Sequence, residues 1–378
     1  FNFKLKILNP AFFLFLFLAV SAVSIFNSRI IGLSLYQLVK LAEFVGFYFY
    51  LKSNLGKIFN FRDTLAVIIA SGLFQSVIAI IQYIKQGSVG LRLLGESPLS
   101  VNTSGVAVFI ADGVKYLRAY GTTPHPNVLA AWLFAAIFAF YFWYIYRSEN
   151  KSRTLGDVLP LGGYIILLFA FFFTYSRVII GFWVLGVLAR LLIVVARKEF
   201  RENVAIRRKV GQLSAVSLIV VLAFSALFWP QVKSRIHISA QEEAVTQRVY
   251  YNKLAGSVAA DHPLSGIGIG QFVPNMMSKF KHLPANAYQP VHNIYLLIAS
   301  ETGFLGLAVF LGFVLAVFYR FANHTRFAKL YHFSFFILAG SFLVIGLFDH
   351  FLWTSQQGSL IFWMALALIG SFQDRPAV

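Results

Sequence analysis

A histidine at the mouth of a long apolar run is the first residue of this chain that could do chemistry. His292 and Asn293 open the run His292–Gly306, which contains one acid, Glu301. An ionisable residue at such a position is energetically costly, which makes it a candidate functional site. Taken alone, one histidine at a helix start is more often an interfacial residue than a catalyst. A functional role for His292 therefore requires further candidate residues elsewhere in the chain.

Arg177 is the second candidate, because it stands between two apolar stretches. An arginine there must either reach the membrane surface or meet an anion. Ser176 can cap the helix that begins at this point. A helix N-terminus beside an arginine is a natural phosphate site, so we predict that Arg177 binds an anion. The alternative is a positive residue that merely separates two helices.

Two further arginines lie in polar stretches. Arg118 begins a segment that ends at Pro126, where a helix is predicted to start, and Asn127 offers a side-chain hydrogen bond. Arg248 lies in the segment 241–263, whose apolar residues recur at three- and four-residue spacing. This pattern predicts an amphipathic helix on the membrane surface. For Arg118 the alternative is a simple turn, and for Arg248 it is an interfacial cation.

Asp349 and His350 form an acid–imidazole pair at the end of another apolar run. The sequence contains neither Asp-x-Asp nor His-x-x-x-His, so no metal site is predicted. The segment Gly266–Phe272 has the pattern GxGxGxF outside a strand–helix unit, which excludes a dinucleotide site. Arginines and a histidine that can be neutral suit a substrate whose leaving group is a phosphate or pyrophosphate. Such a group departs as a stable anion and needs no general acid.

The composition predicts an all-α, polytopic membrane protein of about ten transmembrane helices. Of 378 residues, 58% are hydrophobic and 12% charged, whereas soluble domains average about 25% charged residues. The absence of cysteine excludes disulfides and thiolate metal sites. The first run has a faint signal-peptide pattern and is expected to remain as an uncleaved helix. The predicted spans are 7–26, 30–51, 64–84, 127–146, two within 159–195, 212–229, 292–319, 331–348 and 356–372.

The charge distribution predicts the orientation of these helices. Lys and Arg are concentrated in short loops on one side, as expected of cytoplasmic loops, so the net charge of +18 does not indicate a nucleic-acid partner. Both termini are predicted to be cytoplasmic, and 1–378 to form a single integral membrane domain. The predicted extracytoplasmic loops are about 85–126, with β-like runs such as Val106–Ile110, and 231–291. All the candidate residues above then lie on the outer side.

Several short motifs follow one another in a set order. Arg-x-Tyr-Gly-Thr-x-x-x-Pro-Asn starts at Arg118, Ser-Arg opens a span at 177, and Arg248 precedes Asp-x-Pro-x-x-Gly-x-Gly. His-Asn-x-Tyr-Leu and Glu-x-Gly follow from His292, and Asp-His-x-x-Trp-Thr-x-Gln-Gln-Gly starts at Asp349. This order, over most of the chain, resembles the O-antigen ligase and O-antigen polymerase superfamily of bacterial membrane glycosyltransferases.

The resemblance implies a fold of the glycosyltransferase C type in the bacterial cytoplasmic membrane. It implies a donor glycan on undecaprenyl pyrophosphate in the outer leaflet, a lipid, glycan or protein acceptor, inversion at the anomeric carbon, and no metal or other cofactor. His292 matches the histidine proposed to activate the acceptor hydroxyl. Arg177 and Arg248 match arginines proposed to hold the pyrophosphate, and Arg118 is expected to join them. The possible supporting residues are Ser176, Asn127, Asn293, Asp349 and His350.

Three activities within this superfamily remain open, because the motifs do not specify the acceptor. They are O-antigen ligase, polysaccharide polymerase and protein O-glycosyltransferase. A transporter or flippase of lipid-linked glycans is the alternative from another class. It would need polar residues near the middle of the membrane, whereas several predicted spans are almost wholly apolar.

Overall fold

Helices dominate the structure, as the composition predicts. The computed structural model describes residues 9–146, 155–236, 243–284, 287–325 and 329–372. Over these residues the chain forms fifteen α-helices and a single two-stranded sheet, with short 3-10 turns between them. The prediction of an all-α, polytopic membrane protein is confirmed.

The helices are numbered here in chain order. The first eight are α1 Pro10–Ser24, α2 Ile31–Asn54, α3 Phe61–Lys85, α4 Pro126–Tyr146, α5 Leu155–Phe173, α6 Arg177–Ala196, α7 Lys198–Arg201 and α8 Val204–Leu227. The other seven are α9 Trp229–Ile236, α10 Glu243–Asp261, α11 Phe272–Lys279, α12 Ile294–Thr325, α13 Leu330–Ile345, α14 Phe351–Thr354 and α15 Gln356–Ser371.

Every predicted span coincides with a helix, but not all ten of these helices are long and apolar enough to span a membrane. Within the part of the chain that the structure describes, six segments are long and apolar enough to cross a membrane: Pro10–Asn27, Phe61–Lys85, Pro126–Tyr146, Arg177–Ala196, Val204–Leu227 and Ile294–Thr325. Leu159–Phe173 and Leu330–Ile345 are apolar but shorter. The predicted count of ten is therefore not confirmed, although the positions of all ten helices are.

The chain divides into two compact units. The terminal unit takes its residues from Phe1–Leu55, Ser239–Lys329 and Ala339–Val378. The central unit takes its residues from Gly56–Ile238 and Leu330–Leu338. Within the terminal unit α1 packs on α12 and α2 packs on α15, whereas in the central unit α3 packs on α4 and α5.

Aromatic rings fill the core of the terminal unit. The Tyr48 ring meets the Phe313 ring edge-on at a centroid distance of 5.3 Å, and Phe313 stacks on Trp363 at 5.7 Å. Phe17 of α1 lies 5.7 Å from Phe310 of α12. Such ring pairs add about 0.5–1.5 kcal/mol each beyond the apolar area they bury. The high phenylalanine content thus serves helix packing inside the protein as well as contact with lipid.

α12 is broken at Gly303, where φ is 74° and ψ is 175°. The span predicted over 292–319 therefore contains a break. The carbonyls of Ser300 and Glu301 instead accept hydrogen bonds from Ile267 N at 3.0 Å and Gly268 N at 2.9 Å. A helix break at membrane depth is tolerated when other protein groups satisfy the freed backbone.

Glu301 anchors the same loop from the other side. Its Oε1 accepts a hydrogen bond from Phe272 N at 3.2 Å, and the side chain is only 6% exposed. Gly266 has a positive φ of 63°, and a Cβ there would collide with the backbone of Glu301. The GxGxGxF motif is therefore a packing loop that lies directly on the broken helix, and Glu301 has a structural role.

A β-hairpin lies in the first predicted extracytoplasmic loop. β1 (Val108–Ala111) pairs antiparallel with β2 (Val114–Leu117), with Val108 opposite Leu117. The β-like run predicted at 106–110 is thus partly a strand. Upstream of it, the buried Glu96 carboxylate accepts hydrogen bonds from the backbone N–H groups of residues 89–91 at 2.6–2.7 Å and from Gln82 Nε2 at 2.8 Å. Although burial raises the pKa of Glu96, these donors lower it below its ordinary value.

The second predicted loop, 231–291, is largely helical. A helix is present in the segment 241–263, as predicted, and runs over Glu243–Asp261 (α10); its predicted place on the membrane surface stays a prediction. Tyr251, Ala255 and Val258 are buried, and α10 packs against α12. The three- and four-residue spacing therefore identifies a face that packs on protein.

Candidate active site

His292 lies just before α12 and is partly buried in the terminal unit. Its imidazole meets the His350 ring edge-on at a centroid distance of 4.7 Å, and the Tyr251 ring lies 6.4 Å away. The Nδ1 atom of His292 is buried and has no hydrogen-bond partner among the described residues. A buried nitrogen in this condition is destabilising unless a ligand or water supplies the partner.

Backbone contacts fix the position of His292. Asn293 caps α12, because its Oδ1 accepts hydrogen bonds from Tyr295 N at 3.0 Å and Leu296 N at 3.1 Å. Ile294 N donates to the carbonyl of Gly346 at 2.8 Å. A side chain at 346 would collide with Ile294, so the close approach requires glycine. Asn293 therefore supports the site by holding the start of α12.

Asp349 and His350 are held by short-range hydrogen bonds at the start of α14. Asp349 Oδ1 accepts from His350 N at 2.8 Å and from Phe351 N at 3.4 Å. His350 Nδ1 lies 2.7 Å from Thr354 Oγ1. The Thr354 hydroxyl thus orients the imidazole of His350, and this ring packs against the ring of His292. The ring in contact with His292 is that of His350, and the Asp349 carboxylate lies close enough to raise the pKa of His292.

The surroundings keep both imidazoles neutral. The pKa of His292 is lowered from 6.5 to about 4, mainly by burial and also by the neighbouring His350 and Arg248, while Asp349 acts in the opposite direction. Burial also lowers the pKa of His350. At neutral pH, His292 therefore offers an uncharged ring with a lone pair.

Arg248 contributes a cation to the same environment. It lies on α10 one turn before Tyr251, and its Nε is buried without a hydrogen-bond partner among the described residues. A guanidinium with an unsatisfied donor beside a neutral histidine is suited to an anionic group. His292, Asp349, His350 and Arg248 are therefore brought together in the terminal unit.

A cavity of about 470 Å³ adjoins this cluster within the terminal unit. Thr354, which bonds His350, forms part of its wall, and Lys40 Nζ donates to the Thr354 carbonyl at 3.5 Å. Most other wall residues are apolar, among them Phe44, Phe272 and Trp363. The cavity is large enough for part of an amphipathic molecule.

One group of side chains has the composition of a metal site. The candidate ligand atoms of His292, Asp349 and His350 lie within 4.8 Å of one another. Two imidazoles and a carboxylate could hold a divalent ion such as Zn²⁺. However, His350 Nδ1 is already bonded to Thr354 Oγ1, and Asp349 Oδ1 accepts two backbone N–H groups. An ion would therefore have to bind the ring nitrogens of His292, the Nε2 atom of His350 and the Oδ2 atom of Asp349.

The other predicted residues belong to the central unit. Arg118 Nε donates to the Thr174 carbonyl at 2.7 Å, and its Nη2 donates to Asn127 Oδ1 at 2.6 Å. Arg118 thereby ties the start of α4 to the turn that precedes α6. These bonds favour a positioning role, and its predicted contact with pyrophosphate stays a prediction.

α6 begins at Arg177, as its sequence context predicts, with Ser176 at the N-cap. Ser176 makes no capping hydrogen bond with its side chain, so the predicted cap is present in position only. The preceding residue, Tyr175, has a φ of 46°, which is unfavourable for a residue with a bulky side chain. Tyr83 bonds its hydroxyl at 2.9 Å and stabilises this strained turn. Strained residues of this kind are concentrated at functional sites.

Residues 162–311 match the family model Wzy_C, described as O-antigen ligase. This match supports the resemblance to the O-antigen ligase/polymerase superfamily that the motif order indicates. No curated protein sequence matches the chain. The matched segment contains Arg177, Arg248 and His292, whereas Arg118 and the Asp349–His350 pair lie outside it. The family match indicates a glycosyltransferase-type enzyme, and the helices place it among multi-pass membrane proteins.

Two glutamines that fix the segment around Tyr120 do not stand out in the sequence. Gln82 Oε1 accepts from Tyr120 N at 3.1 Å and from Gly121 N at 2.8 Å. Gln75 bonds both the N–H and the hydroxyl of Thr122. They fix the segment after Arg118. Amide side chains inside the otherwise apolar helix α3 are the signal that could have revealed them.

Proposed function

We propose that this protein transfers a glycan from undecaprenyl pyrophosphate to an acceptor hydroxyl at the outer face of the cytoplasmic membrane. The observation that carries the proposal is the partly buried, uncharged His292, whose buried Nδ1 has no hydrogen-bond partner among the described residues, inside the segment that matches the O-antigen ligase family model. The reaction inverts the anomeric carbon, and the protein supplies no metal.

In the proposed step, the acceptor hydroxyl donates a hydrogen bond to His292. Its oxygen attacks the anomeric carbon, the bond from that carbon to the phosphate oxygen breaks, and the proton passes to the imidazole. With a pKa of about 4, His292 is a weak base before reaction. A weak base is sufficient if the proton leaves after the new C–O bond begins to form, because the oxygen is then strongly acidic. Asp349 favours the resulting imidazolium, since it raises the pKa of His292.

The arginines bind the leaving group in this proposal. Arg177 and Arg248 neutralise the pyrophosphate as the glycosidic bond breaks, so the phosphate oxygen needs no proton. Arginine is suited to this role because its planar fork matches phosphate oxygens and it stays charged at every relevant pH. Arg118, which holds Thr174 and Asn127, keeps the turn before Arg177 in place.

We favour an O-antigen ligase-like acceptor, a lipid-borne glycan, because the cavity beside Thr354 is largely apolar. A polymerase or a protein O-glycosyltransferase would use the same chemistry. A deletion strain separates the first two: polymer left on its lipid carrier indicates a ligase, whereas single repeat units on the final acceptor indicate a polymerase.

Reconstitution in liposomes tests the reaction class. The purified chain is supplied with a lipid-linked glycan and candidate acceptors, and the product is analysed by mass. We expect a new glycosidic bond and release of undecaprenyl pyrophosphate. Movement of the lipid-linked glycan across the bilayer without bond formation would replace the proposal with a flippase.

The rate of transfer is expected to be almost constant between about pH 6 and 8, because His292 is already neutral throughout that range. An ordinary histidine would lose activity near pH 6.5. In His350→Asn, loss of the neighbouring imidazole, which lowers the pKa of His292, should raise that pKa and move the acid limb to higher pH. The measurement is kcat/KM against pH for both proteins. If kcat/KM of the wild type fell near pH 6.5, His292 could not be neutral at pH 6, and the proposal of a lowered pKa would be contradicted.

Chelation by EDTA is expected to leave transfer unchanged, whereas added Zn²⁺ should inhibit it by occupying the lone pairs of His292 and His350. Inhibition should weaken by about tenfold or more in His350→Asn, which removes one ligand. Activity and Zn²⁺ binding are measured on the same preparations. Activity that is lost on chelation and restored by Zn²⁺ would instead make the metal a cofactor.

A further inference from the structure

Three side chains of the terminal unit each bury a polar atom that makes no hydrogen bond to the residues the structure describes. The atoms are Nε of Arg248, Oδ1 of Asn252 and Nδ1 of His292. Buried polar groups in folded proteins are almost always paired, so a group of unpaired ones is expected where a ligand binds. Arg248 and His292 already have roles in the proposed reaction, whereas Asn252 has none.

Asn252 lies on the face of α10 that packs beside His292. It follows Arg248 by four residues and precedes Ala255 by three, so these residues share one side of the helix, with about 5–6 Å between neighbouring Cβ atoms. Ala255 is fully buried in a cluster that includes Val291, the residue immediately before His292. The amide of Asn252 is therefore one helical turn from the guanidinium, on the side of α10 that faces the site.

The unpaired atom of Asn252 is an oxygen, which can only accept a hydrogen bond. A ligand must therefore supply an O–H or N–H group to satisfy it. The pyrophosphate of a lipid-linked glycan is ionised at neutral pH and has no such donor, and a prenyl chain has none. A sugar has several. The part of the donor molecule that fits Asn252 is thus the glycan.

We propose that Asn252 binds a hydroxyl or amide N–H group of the donor sugar on the ring carbon next to the anomeric carbon. The inference rests on the proposed function, because it takes Arg248 as a ligand of the pyrophosphate and His292 as the contact of the acceptor hydroxyl. The anomeric carbon lies between these two groups during transfer. A hydrogen bond to the neighbouring C2 substituent strengthens as the sugar becomes oxocarbenium-like, so Asn252 contributes to both rate and donor choice.

Binding of three lipids to the purified full chain in nanodiscs tests this assignment. They are undecaprenyl pyrophosphate and its glucosyl and mannosyl derivatives, which have opposite configurations at the C2 hydroxyl. Asn252→Ala should bind the lipid without sugar within about twofold of wild type. It should bind at least one sugar-bearing lipid about three- to tenfold more weakly, because one hydrogen bond is lost.

Two results of this measurement would overturn the proposal. One is that Asn252→Ala binds all three lipids as tightly as wild type does. The other is an equal loss of affinity for all three lipids, which would indicate a structural or phosphate-binding role. Ser257→Ala is the control, because it truncates an exposed polar side chain on the same helix, and it should bind all three lipids as wild type does.

A conservative variant and the transfer assay separate a contact with the donor from a contact with the acceptor. Asn252→Ser keeps an oxygen that can accept a hydrogen bond and should recover part of the affinity lost in Asn252→Ala. In the transfer assay, Asn252→Ala should lower kcat/KM for the donor by about tenfold or more, while the KM of the acceptor stays within about twofold. A rise in the acceptor KM alone would contradict the proposal and assign Asn252 to the acceptor.

The two proposals can fail separately. If wild type binds the sugar-bearing lipids through Asn252 but forms no glycosidic bond, the sugar-binding role of Asn252 stands and the transferase proposal fails. If wild type transfers glycan, and Asn252→Ala transfers and binds equally well, the inference about Asn252 fails alone.

Discussion

Replacing His292 with alanine is expected to lower the rate of glycan transfer by about 10²–10⁴-fold, which is the range for loss of a positioned proton acceptor. The protein should remain in the membrane with undiminished thermal stability, because the substitution removes a buried nitrogen that lacks a hydrogen-bond partner. Transfer is measured from a purified lipid-linked donor at saturating acceptor concentration. His292→Asn, which keeps hydrogen-bonding capacity without basicity, should be almost as inactive.

His282→Ala is the matched control, since His282 is exposed and belongs to the same region of the chain. It should transfer at the wild-type rate. If His292→Ala kept more than about a tenth of the wild-type rate, His292 could not be the proton acceptor. If His292→Asn were active and only its donor KM had risen, the histidine would serve binding alone.

Arg177→Ala should lower kcat by about 10²–10³-fold, the typical effect of removing one group that stabilises developing charge. The donor KM should also rise, because the guanidinium binds the pyrophosphate before the bond breaks as well as during the reaction. Arg177→Lys should recover only part of the rate, since lysine has the charge but lacks the planar fork. Steady-state kinetics with the lipid-linked donor separates the two parameters.

Arg62 provides a control of the same residue type and a similar position. It is exposed in the first turn of α3, just as Arg177 begins α6. Arg62→Ala should leave kcat and KM within about twofold of wild type. Equal losses in both variants would mean that any positive charge at a helix start matters. A fully active Arg177→Ala would remove Arg177 from the donor site.

The helices and their starting points could be predicted from the sequence because the determining signals are local. Pro126 begins α4 and Arg177 begins α6, as their flanking residues predict. The spacing of apolar residues predicted α10 and its buried face. The motif order also indicated the superfamily that the family model supports. Helix capping, apolar periodicity and charge near span ends act within a few residues, so one sequence is enough to reveal them.

Only the tertiary structure decided what each polar side chain contacts. His350 lies against His292 although the two are far apart in sequence, and the break at Gly303 depends on a loop that supplies hydrogen bonds to the freed carbonyls. The contacts of Arg118 likewise arise from packing between distant segments. Residue type shows that such groups need partners. The packing of the helices determines which partner each polar side chain contacts. Local sequence patterns contain no information about contacts between distant segments.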